Sequence, residues 1–410
     1  LVYGIISPEN KEKRSMYMNT ILEIVRGLND VPNVPFYSQA VQAKLSEIVS
    51  NIFEDFDMSV TTNKYGMLIE SKSKSSKDGI VIIHAHSDHP GFVVKEKRIF
   101  PVGAVFGGYS SGLEKLASKN FDVDLFSING KFISIEKARI LSKNNITLQA
   151  KKDVNILLGL PSNTGFSEGD DKIFGRSLDN HIGIALALVV LKESLFTTEG
   201  RDVKVWISTV EEVSQSSTVM MLAKRSAPDI FYDRNTHHIF MECANLSFYR
   251  GFNYQKFGFT KPDGYQDPYV RISEQDVFYG VSDNEVLKEI VSLALKQDTF
   301  QITPTGGKSD ATPYVLNGFK NVVGLVVPCN NKHNVDKQGN VVPEWVLKDH
   351  VLSVLNLLKE YIQNSDICSI SDGFIRDLDK LSSCSRKKIR KSFLITRVRH
   401  FWKINNGCYY

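Results

Sequence analysis

Apolar residues recur at helical spacing from Met16 to Leu28 and again from Ala40 to Phe56, which predicts two amphipathic helices near the start of the chain. Ser38 stands where a cap for the second helix would stand. The period then changes. Gly79 to His84 (GIVIIH) is a short unbroken apolar run rich in β-branched residues, as expected of a strand covered on both faces. Similar runs occupy Val203 to Ser208, His238 to Met241 and Val322 to Val327. Between the first two, Asn180 to Leu195 is apolar on nearly every turn and predicts a buried helix. The fold class is therefore α/β, a mixed sheet flanked by helices.

Lys95 to Asn163 follows a different pattern. Gly107-Gly108 and Ser111-Gly112 mark turns, Phe121, Val123 and Leu125 alternate, and Asn129-Gly130 is a hairpin signal in which both residues are expected at positive φ. A small β domain inserted into the α/β domain is expected, with residues 1–94 and 164–365 forming the discontinuous larger domain and 95–163 the insert. The serine and lysine cluster at Ser71 to Lys77 reads as an exposed turn.

Composition narrows the class. At 410 residues the chain can bury a large core, and 42% hydrophobic with 23% charged residues argues against disorder and fibrous architectures. No apolar run approaches the roughly 20 residues needed to span a bilayer. The five cysteines (Cys243, Cys329, Cys368, Cys384, Cys408) are spread widely without CxxC spacing, which speaks against a disulfide framework or a thiolate zinc site. Reduced thiols and a cytoplasmic location are expected, and Leu1 in first place leaves room for a processed N-terminus. The net charge of +4 is unevenly placed: eight Lys or Arg lie between Arg386 and Lys403, and removing them leaves about −4 for the rest. Neither nucleic acid nor a membrane is an expected partner. Residues 366–410 form a basic extension whose apolar positions from Ile389 to Trp402 suggest an amphipathic helix docked on the acidic body.

Polar residues gather where the apolar runs end, the usual ligand-binding edge of an open α/β sheet. His84-Ala85-His86-Ser87-Asp88-His89 closes the first run, with His86 the preferred metal ligand and Asp88 placed to fix its tautomer. His84 and His89 are the rival ligands, and the plain reading makes them ordinary residues of the turn. Glu211-Glu212 follows the second run; adjacent carboxylates repel unless exposed or gathered around cations, and one can bind metal while its neighbour carries a proton. Glu242 ends the third run, His333 follows the fourth, and Asp179 opens the apolar helix, where a helix cap is the plain alternative. Singly, each has an ordinary structural explanation; five such groups at strand ends or a helix start point to a metal centre.

The pieces HSDHPGF (His86 to Phe92), GRSLDNHIG (Gly175 to Gly183), STVEEV (Ser208 to Val213), MEC (Met241 to Cys243), GGKSDA (Gly306 to Ala311) and VPCNNKHN (Val327 to Asn334) occur in one order. In that order the chain resembles the M42 family of cocatalytic metallo-aminopeptidases, within the clan that includes the M20 and M28 peptidases. The resemblance implies a zinc-peptidase-like fold with a small β lid, and peptide substrates. It implies two divalent metals, zinc or else cobalt or manganese, and a homo-oligomer. It assigns His86 and Glu242 to one metal, Glu212 and His333 to the other, Asp179 to both, Glu211 as general base and Asp88 as support for His86. Three departures stand out: Glu242 replaces a frequent Asp, Asn180-His181 replaces Asp-Arg, and Lys308-Ser309 replaces a single Thr. A deacylase or carboxypeptidase of the same clan, or a non-catalytic protein retaining the fold, are the competing readings.

Overall fold

The computed structural model describes residues 8–72, 79–95, 98–103, 120–142, 145–148, 156–197, 199–244, 267–274, 277–279, 283–297, 299–304, 307–364 and 376. The Ser71–Lys77 turn lies largely outside the described residues, and the Gly107-Gly108 and Ser111-Gly112 turns, Gly306 and the basic extension except Arg376 lie outside them too. Helices α1 (Pro8–Asn29) and α2 (Gln39–Ile52) come first, then β1 (Met58–Asn63), β2 (Gly66–Ser71) and β3 (Ile80–His86). The predicted second helix ends four residues early, and Ser38 takes the cap position without a side-chain hydrogen bond.

Six strands then close into a small barrel: β4 (Gly91–Lys95), β5 (Arg98–Val102), β6 (Asn120–Phe126), β7 (Phe132–Ser142), β8 (Asn145–Leu148) and β9 (Leu157–Pro161). Phe92, Val123, Leu125 and Leu157 fill it, and Phe121, Val123 and Leu125 of β6 are the alternation read in the sequence. The β6–β7 turn differs from expectation. Only Gly130 takes positive φ, at 87°, while Gly130 N–H bonds to the Ser127 carbonyl; this is a longer loop ending in a left-handed glycine rather than a two-residue turn.

The chain returns through β10 (Ser167–Glu168) and β11 (Lys172–Gly175) to α3 (Leu178–Leu195). Next come β12 (Asp202–Ser208), α4 (Ser216–Ala223), β13 (His237–Ala244), β14 (Tyr269–Arg271), β15 (Ser273–Glu274) and β16 (Val277–Phe278). The order ends with α5 (Glu285–Lys296), β17 (Gln301–Thr303), α6 (Ala311–Leu316), β18 (Val322–Pro328), β19 (Glu344–Leu347) and α7 (Lys348–Gln363). Among the described residues the main sheet has eight strands in the order β1-β2-β12-β3-β13-β18-β14-β17, and β12, β3, β13 and β18 run parallel at its centre. The four apolar runs of the sequence are those four central strands.

Helix α3 packs across them and is buried at every position from Leu178 to Leu191, which explains its lack of a polar face. Gly183 permits this approach: a β-carbon there would stand 2.0 Å from Asn180 Oδ1 and 2.9 Å from Met241 Cβ. On the opposite face Trp206, Phe231, Phe240 and Tyr314 make an aromatic layer. His84 belongs to this layer rather than to a solvated turn, stacked on Phe240 and 3.0 Å from His238. No helix among the described residues is long and apolar enough to cross a membrane.

Burial lowers the pKa of His237 to about 4, helped by Arg201, and that of His238 to about 3, helped by His237. Both are neutral in the fold, so protons bind preferentially to the unfolded chain once the pH drops below the ordinary histidine value. The stability contributed by these two groups should be level above about pH 6.5 and fall by roughly 2 kcal/mol per group on going to pH 5. Urea denaturation at the two pH values of wild type against a His237→Asn, His238→Asn variant isolates this contribution; an equal pH dependence in both proteins would contradict it.

Candidate metal centre

The carboxyl ends of the parallel strands bring the predicted residues to one edge of the sheet. His86 ends β3, and its Nδ1 donates to the backbone carbonyl of Asp88 at 3.0 Å, since a carbonyl only accepts. In the neutral ring the Nε2 lone pair then faces inward, 3.3 Å from Asp179 Oδ1. Asp179 is fully buried in the first turn of α3, with φ −85° and ψ 96°, and is followed by a cis peptide bond. Its Oδ2 faces the other way, 2.6 Å from Lys332 Nζ and 4.0 Å from His333 Nε2. Despite these close charges, neither Asp179 oxygen nor His86 Nε2 has a partner in hydrogen-bonding geometry.

Glu212 Oε1 lies 3.1 Å from His333 Nε2. Ligand atoms of His86, Asp179 and Glu212 all fall within 4.8 Å of one another. His333 flanks this group. Glu242, on β13, is buried but stands outside the group of three; Asp179 and His86 reach it through their charge. The unpartnered buried acceptors of Asp179 and His86, beside the Glu212 carboxylate, are a donor set suited to a divalent cation.

Asp88 has two kinds of contact here. Its carboxylate lies 3.6 Å from His86 Nδ1 and also accepts the backbone N–H groups of Glu211 at 2.9 Å and Glu212 at 3.0 Å. The turn carrying both glutamates is therefore held by a buried carboxylate. Glu211 Oε1 in turn accepts from Gln215 Nε2 at 2.9 Å.

Burial by itself raises the carboxyl pKa of Asp179, Glu211, Glu212 and Glu242, and neighbouring charges then separate the four. Against that burial, Lys332, His86 and His333 hold Asp179 well below the carboxylate range, and His333 holds Glu212 at about 2. Burial and the Glu242 charge push Glu211 well up; burial and Asp179 raise Glu242 to about 8. Such splitting follows from too many carboxylates around too few cations.

Three residues of the centre carried little signal in the sequence. Lys332 precedes His333 in the matched motif yet had no assigned role. His89, read as a turn residue, is buried and donates from Nδ1 to the Asp179 carbonyl at 3.1 Å. Glu344 accepts from backbone N–H groups of Asp179 and His333, 165 and 11 residues away, a separation that no local motif reveals. The departures at 180 and 181 are absorbed locally. Asn180 Nδ2 donates to the Met241 carbonyl at 2.6 Å, and His181 Nε2 accepts from Asn33 Nδ2 at 3.2 Å.

No protein-family model and no curated protein matches this sequence. The fold does match solved structures. A TET aminopeptidase from a marine-sediment thaumarchaeote superposes with a TM-score of 0.61 at 14% identity, covering 88% of this chain and 99% of that one. An aminopeptidase from the archaeon Desulfurococcus kamchatkensis gives 0.60 at 15%, covering 89% and 98%. The Pyrococcus horikoshii TET1 peptidase, which can assemble into a tetrahedron or a large octahedral shell, gives 0.59 at 16%, covering 83% and 99%. The chain thus has the mixed α/β fold of these peptidases over nearly their whole length.

Replacing Asp88 with Ala leaves two buried N–H groups without an acceptor. Each costs about 1–3 kcal/mol, so the variant should be destabilised by several kcal/mol in chemical denaturation. An unchanged midpoint would show that the Glu211-Glu212 turn does not depend on Asp88.

Proposed function

We propose that the chain is a two-metal hydrolase that removes N-terminal residues from peptides. The observation that carries this reading is the placement of Asp179 between two histidines, with Oδ1 toward His86 and Oδ2 toward His333. A carboxylate with one oxygen turned to each side is suited to two cations. In this reading His86 and Glu242 hold one ion, Glu212 and His333 the other, and Asp179 both. Zinc suits mixed histidine and carboxylate donors, as do cobalt and manganese.

Divalent ions at such a centre supply Lewis acidity toward a peptide carbonyl and bring the pKa of water near neutrality. The proton is carried by Glu211. It takes a proton from the attacking water and returns it to the leaving amine, and Asp88 and Gln215 keep it in place for both transfers. Glu211, a buried carboxylate not assigned to an ion, favours the free ammonium end of a peptide over its carboxylate end, and so cleavage at the N-terminal amide.

The barrel supports self-association. Phe100, Phe132, Ile133 and Ile135 are each more than two-fifths exposed on it, an apolar surface that a second copy would cover. Among the described residues the two free thiols, Cys243 and Cys329, are buried and unbridged, in keeping with a reducing, cytoplasmic setting.

Metal analysis of the purified chain should give two divalent ions. Unblocked short peptides should be shortened from the N-terminus and N-acetylated ones left intact. Glu211→Gln should retain both ions while turnover falls about 10²–10⁴-fold. Full activity in that variant would remove Glu211 as the proton carrier. In light scattering, Ile133→Asp with Ile135→Asp should reduce the assembled mass without loss of metal; an unchanged mass places the interface elsewhere.

A further inference from the structure

Glu344 is the first residue of β19 and fully buried, and the proposed reaction makes no use of it. Its two oxygens reach two separate segments. Oε2 accepts from the N–H of Asp179 at 3.1 Å, and Oε1 from the N–H of His333 at 2.7 Å.

Both N–H groups need an external acceptor. Asp179 lies in the first turn of α3, where helical N–H groups have no carbonyl of their own, and its φ and ψ take it out of the helix. His333 has φ 61° and ψ 33°, in the left-handed region that a β-carbon disfavours, and its neighbour Asn334 has φ 62°. Such a backbone persists only where its surroundings over-determine it.

The strand that carries Glu344 is itself anchored. Glu344 lies opposite Gly175 of β11, and Trp345 exchanges two backbone hydrogen bonds with Asn330, at 2.9 and 3.2 Å. A carboxylate on this support, bonded to both segments, fixes the distance between the Asp179 backbone and the His333 backbone.

We propose that Glu344 is a positioning residue that holds Asp179 and His333 in register and so sets the affinity for the ion they share with Glu212. The inference rests on the two-metal reading. Two hydrogen bonds from buried backbone N–H groups to one carboxyl group fix both segments at once. Gln in this place would offer one acceptor oxygen and turn an NH2 group on the other N–H, while Asp would keep both oxygens but fall short by one methylene.

The test is calorimetric titration of Zn2+ or Mn2+ into the full chain after chelator stripping, for wild type, Glu344→Gln and Glu344→Asp, with thermal melts of each in the absence of metal. Partners that orient metal ligands from behind change affinity by about 10–100-fold. The ion held by Glu212, His333 and Asp179 should therefore bind that much more weakly in both variants, with a smaller loss at the ion that shares only Asp179, while the metal-free melting temperature is lowered but a cooperative transition is retained. Unchanged affinity for both ions in a folded variant overturns the proposal, as does equal weakening of both. Collapse of both variants without metal makes Glu344 a folding residue and overturns it as well. A wild-type chain that binds no ion removes the two-metal reading itself, an outcome distinct from wild-type binding with unchanged variants.

Discussion

An excess of buried negative charge at one edge of the sheet is the constraint to which the rest of the structure answers. Asp88, Asp179, Glu211, Glu212, Glu242 and Glu344 are all nearly or fully buried there. Taking carboxylates out of water is tolerated only when each finds donors or cations. Asp88 and Glu344 find backbone N–H groups, two apiece. Glu212 finds His333, and Asp179 finds the charge of Lys332. Burial raises the pKa values of Glu211, Glu242 and Glu344, and the carboxylates facing them raise these further. The division is functional as well as electrostatic. The N–H-bonded carboxylates shape the loops, and those that remain are the ones a divalent cation would satisfy.

The scaffold makes this excess sustainable by being rigid around it. Parallel strands β3, β12 and β13 deliver His86, the Glu211-Glu212 turn and Glu242 to one side, each strand hydrogen-bonded to a neighbour along its length. Helix α3 lies buried against them, close enough that Gly183 tolerates no β-carbon, and this closeness brings Asp179 to the strand ends. Covering both faces, the helical layer and the aromatic layer keep the surroundings apolar, so charge interactions at the centre are screened little by solvent.

Much of this was legible in the sequence because the period of apolar residues reports burial directly. The four apolar runs became the four central parallel strands, and the apolar stretch after Asp179 became the buried helix. His86, Asp179 and Glu212 were legible for a related reason: polar residues directly after fully buried runs stand at the edge where a sheet binds ligands. Contacts through the backbone were not legible. That Asp88 bonds two N–H groups besides facing His86 had no signal, and neither had Glu344, because the chain must fold before their partners are near. Nor does apolar patterning distinguish a histidine in a core from one in a turn, so His84 and His89 were misread. Asn129-Gly130 marked a turn correctly but not its type, since loop length and the strand register settle which residue is left-handed.

If Asp179 lies between two cations, anomalous diffraction from crystals loaded with zinc or cobalt will show two peaks, one beside Asp179 and His86 and the other beside Asp179, Glu212 and His333. A single peak at any position, or none in crystals of a chain that binds metal in solution, rules out this role for Asp179.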